Sequence, residues 1–129
     1  MIAYDFNLLG DVFCALDAAV DAQYPCALVD TRATNSPAKF PYVNITEIDV
    51  ADTVAAQTLS SAEVMNTAYY EVSVYSNAQD APLAEARSVM KIVDKTMHLL
   101  GFRRLSCRPV TNLADNTICR LVARYELLV

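Results

Sequence analysis

The stretch that decides the fold is NTAYYEVSVYSNAQDAPLAEARSVMKIVDKTMHLLGF, residues 66–102. Apolar and polar side chains alternate along 66–76, which is typical of a strand with one face on a core. The apolar residues of 81–100 then recur at steps of three and four, which predicts a helix. Its predicted buried stripe is Ala86, Val89, Met90, Val93, Met97 and Leu100. A strand leading through a short turn (77–80) into an amphipathic helix indicates a sheet covered by helices.

Both ends of this helix carry recognisable signals. Asp80 is the predicted N-cap, and Pro82 falls in the first turn, where its missing N–H does no harm. Gly101 fits the position just past the helix end, which needs a left-handed backbone. Phe102 is then expected to pack back onto Met97.

The chain before this stretch predicts one helix and two strands. Apolar residues of 4–21 define a helix face, although Gly10 weakens it. Residues 26–31 and 42–50 read as strands on either side of a loop at 31–41, and 51–64 as a long connection. The predicted face of the helix is Phe6, Leu9, Phe13, Leu16 and Val20, and the second strand has Val43, Ile45 and Ile48 as its β-branched residues.

The chain after the central helix predicts two more strands, 102–110 and 118–128, joined by TNLADNT (111–117). Two helices and four to five short strands favour an α+β fold. We therefore expect a single two-layer domain over residues 1–129, with both helices packed on a largely antiparallel sheet of four to five strands.

Composition excludes several classes of protein. The chain has 129 residues, 54% of them hydrophobic and 19% charged, which suits one folded domain. Two glycines are too few for a Gly-rich phosphate loop. The start lacks the basic and apolar regions of a secretory signal, and no run approaches eighteen apolar residues. We expect no membrane association.

The residues that usually carry catalysis or bind metals are sparse. The cysteines at 14, 26, 107 and 119 have no C-x-x-C spacing, and one histidine cannot complete a zinc set. We expect free, mostly buried thiols. His98 falls on the solvated side of the helix, and Cys107, the sole nucleophile candidate, reads more simply as a small strand residue. Glu47 and Asp49, expected on one strand face, could bind a cation but are more often merely exposed. We predict no enzyme, cofactor or metal.

Charge is unevenly distributed along the chain. Residues 1–80 hold 2 basic and 11 acidic side chains, whereas residues 81–129 hold 8 basic and 4 acidic ones. Five of the basic residues fall on the last two predicted strands: Arg103, Arg104, Arg108, Arg120 and Arg124. Arginine suits bidentate pairing with carboxylates at protein interfaces, so these strands form either a docking surface or a solvated face. Strand tyrosines beside Glu71 and Glu126 favour packing over stacking on nucleic acid.

Two segments carry a resemblance to a known family: VYSNAQD (74–80), and GFRR continuing through PVTNLADNTICRLVARYE (101–126). They resemble the small tail terminator, or tail completion, proteins of long-tailed bacteriophages, often labelled minor capsid or head–tail connector proteins. The resemblance covers residues 66–129 and extends to the first half only in layout.

The resemblance implies a structural, non-enzymatic protein. Such proteins close into a homo-oligomeric ring, typically a hexamer, that caps the tail tube and stops its polymerisation. The ring also meets the head completion or stopper protein, and DNA passes through its lumen without specific binding. Localisation in the virion, after assembly in the host cytoplasm, follows from this role. The alternatives are another neck ring (adaptor or stopper) and a small cytosolic anion-binding domain. The expected interface residues are Arg103, Arg104, Arg108, Asn112, Asp115, Arg120 and Arg124.

Overall fold

A computed structural model describes residues 7–31, 39–52, 66–111 and 117–128. The elements that it describes are two helices and five strands. In chain order they are α1 (Leu8–Asp21), β1 (Leu28–Asp30), β2 (Tyr42–Asp52), β3 (Asn66–Ser76), α2 (Pro82–Leu99), β4 (Arg103–Thr111) and β5 (Cys119–Leu128).

The strands form one sheet in the order β1-β2-β3-β5-β4. The pair β1–β2 is parallel, and the other three pairs are antiparallel. Buried residues of both helices share one hydrophobic core with one face of the sheet. Both helices therefore cover the same face, and the predicted two-layer α+β fold is confirmed.

The central strand β3 has the predicted bounds and pairs over residues 66–75 with β2 on one side and over residues 67–76 with β5 on the other. Its alternating residues Ala68, Tyr70, Val72 and Val74 are fully buried. The Tyr70 ring lies 5.2 Å from that of Phe102, and its hydroxyl donates a hydrogen bond to Glu47 Oε2 at 2.9 Å. The alternating residues of β3 thus form the centre of the core.

The end of α2 is the predicted glycine stop. Gly101 has φ 96°, its N–H donates to His98 O at 3.0 Å, and the Phe102 N–H donates to Met97 O at 3.0 Å. These two bonds satisfy carbonyls at the end of the helix, as in a Schellman motif. Phe102 and Met97 are both buried in the main core, so the turn also returns the chain to the sheet.

Replacing Gly101 with alanine is expected to destabilise the fold by about 1–2 kcal/mol, because an L side chain is strained at positive φ. The added Cβ would also stand 3.3 Å from Leu127 Cδ1. Gly10→Ala is the matched control: nothing lies within 4 Å of that Cβ, so a gain of about 0.4–1 kcal/mol is expected in the helix. Urea unfolding of both variants measures these opposite signs, and equal effects would contradict the assignment.

Two predictions about α2 are wrong. The N-cap is Ala81, in a left-handed conformation and without a side-chain cap, rather than Asp80. Pro82 occupies the first helical turn and fixes the start one residue later. Leu100 is 38% exposed instead of buried, because the helix ends at Leu99 and Leu100 turns away as its C-cap.

The prediction that Glu47 and Asp49 share a strand face is also wrong. A register shift between them pairs Glu47 with Tyr70 but Asp49 with Tyr69. A bulge inserts one extra residue, here Ile48, and so reverses the alternation of faces. Glu47 lies on the helix-covered side with Tyr70, and Asp49 on the other side, which removes the paired-carboxylate site.

In the first half of the chain the elements occur in the predicted order, but their ends differ from the predicted ones. In α1, Val12, Leu16 and Val20 are buried, while Leu9 and Phe13 pack partly against the core. Phe6, residues 32–38 of the predicted loop and residues 53–64 of the predicted connection lie outside the described residues. Strand β1 is limited to Leu28–Asp30.

Candidate interaction surface

The five arginines of β4 and β5 divide between the two faces of the sheet. Arg104 pairs with Tyr125 in the β4–β5 register, and Tyr125 is buried under the helices. Arg120 and Arg124 alternate with the core residues Leu121 and Ala123, so they point away from the helices. We call the side chains on this uncovered side the arginine face: Glu71, Arg103, Arg108, Arg120, Arg124 and Glu126.

Ion pairs between neighbouring strands connect most side chains of the arginine face. Arg124 Nε lies 3.2 Å from Glu71 Oε2, and Arg120 Nη2 lies 3.9 Å from Glu71 Oε1. Arg103 Nε donates to Glu126 Oε1 at 2.8 Å. Such exposed pairs contribute only about 0–1 kcal/mol each to stability. They orient the guanidinium groups, which leaves the face charged and pre-arranged.

Arg120 is the most constrained of these side chains. Its guanidinium lies 5.4 Å from the centre of the Tyr75 ring, and its Nη2 lies 3.4 Å from Ser73 Oγ. Its Nε is buried and has no hydrogen-bond partner among the described residues. A guanidinium held over an aromatic face has lost much of its conformational freedom, so it can contact a partner with little further loss of entropy.

Arg108 is the exception on the arginine face. Its side chain is exposed, and within the described residues it forms no salt bridge. Arg108 opposes Val122 in the register, so it has no charged residue directly across from it. It is the arginine most available to a carboxylate from another protein.

On the helix side, the Asp94 carboxylate of α2 contacts three polar side chains, one each from β5, β4 and α2 itself. Tyr125 donates its hydroxyl proton to Asp94 Oδ1 at 2.9 Å, Arg104 Nη1 lies 2.9 Å from Oδ2, and His98 Nδ1 lies 3.4 Å from Oδ2. Arg104 is therefore separated from the arginine face and instead ties β4 to α2. The prediction of His98 on the solvated side of the helix is confirmed, since its side chain is half exposed.

Tyr125 makes the fold sensitive to alkaline pH. Burial and the hydrogen bond to Asp94 raise the pKa of Tyr125 above its ordinary value of 10.0. Stability from this raised pKa is fully present below pH 10 and is lost as the pH rises above it. We expect Tyr125→Phe to lower the free energy of unfolding by about 1 kcal/mol at pH 7. Above pH 10 the variant should lose stability less steeply than the native protein. Unfolding by urea at a series of pH values tests this, and an equally steep alkaline loss in the variant would contradict it.

The last strand of the sheet, β4, is a long edge. Residues 103–109 are all exposed, and one side of the strand is free of any strand partner in the described chain. Leu105, at a second register shift, is 44% exposed. An exposed edge of this length is a template for pairing with another chain, and Pro109 and the arginines limit unspecific pairing.

The prediction of mostly buried thiols is wrong. Cys14, Cys26 and Cys107 are exposed and Cys119 is half-buried, although all are free. Although Cys107 is exposed, partial desolvation of its thiol raises its pKa despite the nearby Arg104 and Arg87, which disfavours the reactive thiolate. In the described part of the chain no three His, Cys, Asp or Glu side chains come together as metal ligands. No described helix is long and apolar enough to cross a membrane.

Comparison with known proteins reveals a shared fold. No protein-family model and no curated protein matches the sequence. Among solved structures, the chain is similar to the sheath/tube terminator of an extracellular contractile injection system, PVC, in its extended state. The TM-score is 0.53 at 11% identity, over 100% of this chain and 58% of that one. The present chain thus has a terminator-like fold and spans little more than half the length of that protein.

The predicted site residues therefore fall into three groups. The arginine face brings together Arg103, Arg108, Arg120 and Arg124, and Arg104 lies on the opposite side. Asn112 and Asp115 lie outside the described residues. The glutamates that orient the arginines were missed as site residues; the available signal was the opposite charge at alternating strand positions, but only the register reveals which pairs meet.

Proposed function

We propose that the chain is a structural tail terminator: a ring, of six copies, that caps a tail tube and stops its polymerisation. The observation that carries this proposal is the fold shared, over the whole of this chain, with a protein described as a sheath/tube terminator. At 11% identity the likeness extends to the fold, and the role is our inference from it.

The surface chemistry suits docking rather than catalysis. The arginine face presents oriented cations to carboxylates of a neighbouring protein, as arginine does at interfaces. The exposed β4 edge offers main-chain hydrogen bonds to another subunit. A head-to-tail contact between unlike edges of the sheet gives a ring when the rotation between neighbouring copies closes, which fits a terminator.

In this proposal the ring is part of a phage virion. It is assembled in the host cytoplasm, binds the tail tube protein on one side and the head completion or stopper protein on the other, and acts without a catalytic step. DNA passes through the lumen without specific contacts.

Electron microscopy of particles made without the protein tests the role. Overlong tails, or tails that do not join heads, are expected. Normal-length tails beside leaking heads would overturn the terminator role and indicate a neck adaptor instead. Native mass spectrometry of the purified chain, alone and with tubes, tests the ring; a dimer that binds a small anion saturably would favour an anion-binding domain.

A further inference from the structure

A cleft of about 340 Å³ opens between α2 and the edge strand β4. Its walls carry Arg87 and Lys91 of α2 and Arg104 of β4, and its floor includes the buried residues Met90 and Leu121. This cleft belongs to the helix-covered side of the sheet and is separate from the arginine face.

The electrostatics of the cleft favour an acidic occupant. The one carboxylate among its described lining residues, Asp94, already pairs with Arg104 and accepts the Tyr125 hydroxyl. No carboxylate of the described residues forms a salt bridge with Arg87 or Lys91. Two exposed cations therefore stand over an apolar floor without a counter-charge from the described part of the chain.

The cleft exists because the helix layer ends before the sheet does. On β5 the helix-facing residues Leu121 and Ala123 are buried. On β4 their neighbours in the register, Pro109 and Cys107, are exposed. The fold thus leaves the helix side of β4 uncovered at Cys107 and Pro109, beside α2.

The opposite edge of the molecule carries the complementary charge. There α1 packs against β1, the first strand of the sheet. Ala19 lines the groove between α1 and α2. Asp17 and Asp21 stand two residues to either side of Ala19, and a two-residue step turns roughly 200° around a helix. Both aspartates are exposed. Helix geometry therefore places them on the side of α1 opposite Ala19, facing away from α2.

The strand directions allow the two edges to meet in one continuous sheet. Strand β1 is parallel to β2, and the three antiparallel steps from β2 to β4 leave β4 antiparallel to β1. When β1 of a second copy continues the sheet beyond β4 with its helices on the same side, its α1 lies next to the uncovered side of β4.

We infer that the α2–β4 cleft receives the acidic flank of α1, with Asp17 and Asp21, from a second copy of this chain. The contact joins unlike surfaces, so it repeats head to tail, and it gives a ring when the rotation from one copy to the next closes. The assignment rests on the proposed ring and specifies its subunit interface. It also explains the acidic first part and basic second part of the chain as the two sides of one contact.

Charge reversal on each side tests the interface in the purified full chain. Arg87→Glu and Asp17→Lys are each expected to weaken ring formation by about tenfold or more, because each places like charges together. Lys95→Glu is the matched control, since Lys95 is an exposed cation of α2 that lines the groove towards α1 and does not line the cleft. Native mass spectrometry at physiological salt measures the ring population.

Mixing the Arg87→Glu and Asp17→Lys chains is expected to restore rings. In an alternating ring each introduced glutamate meets an introduced lysine, and each native Arg87 meets a native Asp17, so every contact is attractive. Rescue also shows that both variants are folded. Rings formed by Arg87→Glu alone as readily as by the native chain, or a mixture that stays unassembled, would overturn the interface and leave the ring itself standing. Failure of the native chain to form rings, alone or on tubes, would overturn the ring and the interface together.

Discussion

Replacing Tyr70 with alanine is expected to destabilise the fold by about 3–5 kcal/mol, because it removes one of the largest fully buried side chains of the protein. The side chain is fully buried at the centre of β3. Its loss leaves a cavity beside Phe102, whose ring lies 5.2 Å away, and removes a hydrogen bond to Glu47. A fall in Tm on the order of 10 °C follows for a domain of this size.

Tyr70→Phe separates the two contributions. It keeps the ring and removes only the hydroxyl, so a loss of about 1 kcal/mol is expected. Thermal and urea unfolding of both variants measure the difference. If alanine and phenylalanine destabilised the protein equally, the hydrogen bond to Glu47 would contribute more than core packing, and the expected dominance of packing would be wrong.

The centre of the fold was predictable because every local signal agrees there. Alternation in β3, the helical period of α2 and the glycine stop at Gly101 all depend on residues close in sequence. Gly101 in particular adopts the positive φ that the helix end requires. These features need no knowledge of which strands become neighbours.

The interaction surface was only partly predictable, because its contacts depend on the sheet register. Arg124 and Glu71 are 53 residues apart, yet they meet across β3 and β5. The bulge at Ile48 places Glu47 and Asp49 on opposite faces of the sheet. No residue type near Ile48 indicates that a bulge is present. Likewise, Arg104 leaves the other arginines because a register shift follows it in β4.

The acidic and basic parts of the chain have a spatial meaning that composition alone did not give. The acidic flank of α1 lies at the β1 edge, and the basic cleft lies beside β4 at the other edge. The arginine face lies on the remaining side. In the proposed ring the cleft serves contacts between subunits, so the arginine face is left for the protein that the ring meets.

Arg108→Glu is therefore expected to give the largest loss of capping among variants of the arginine face. Arg108 forms no salt bridge within the described residues, so the substitution breaks no described ion pair. A stability change within about 0.5 kcal/mol is expected, as for most surface substitutions. A docking partner that presents carboxylates would then meet a like charge, and binding should weaken by about tenfold or more.

Comparison with Arg124→Glu isolates docking from folding. That variant is also expected to weaken assembly, but it places a new carboxylate beside Glu71, whose Oε2 lies 3.2 Å from the native Arg124 Nε, and so destabilises the sheet as well. The fraction of tubes capped and the ring population, measured at physiological and raised salt, give the readout. If docking depends on charge, raised salt should lower the fraction of tubes capped by the native chain towards the fraction capped by Arg108→Glu. An unchanged ring population in Arg108→Glu would show that the variant is folded, and unchanged capping by those rings would then remove the arginine face from the contact with the tube.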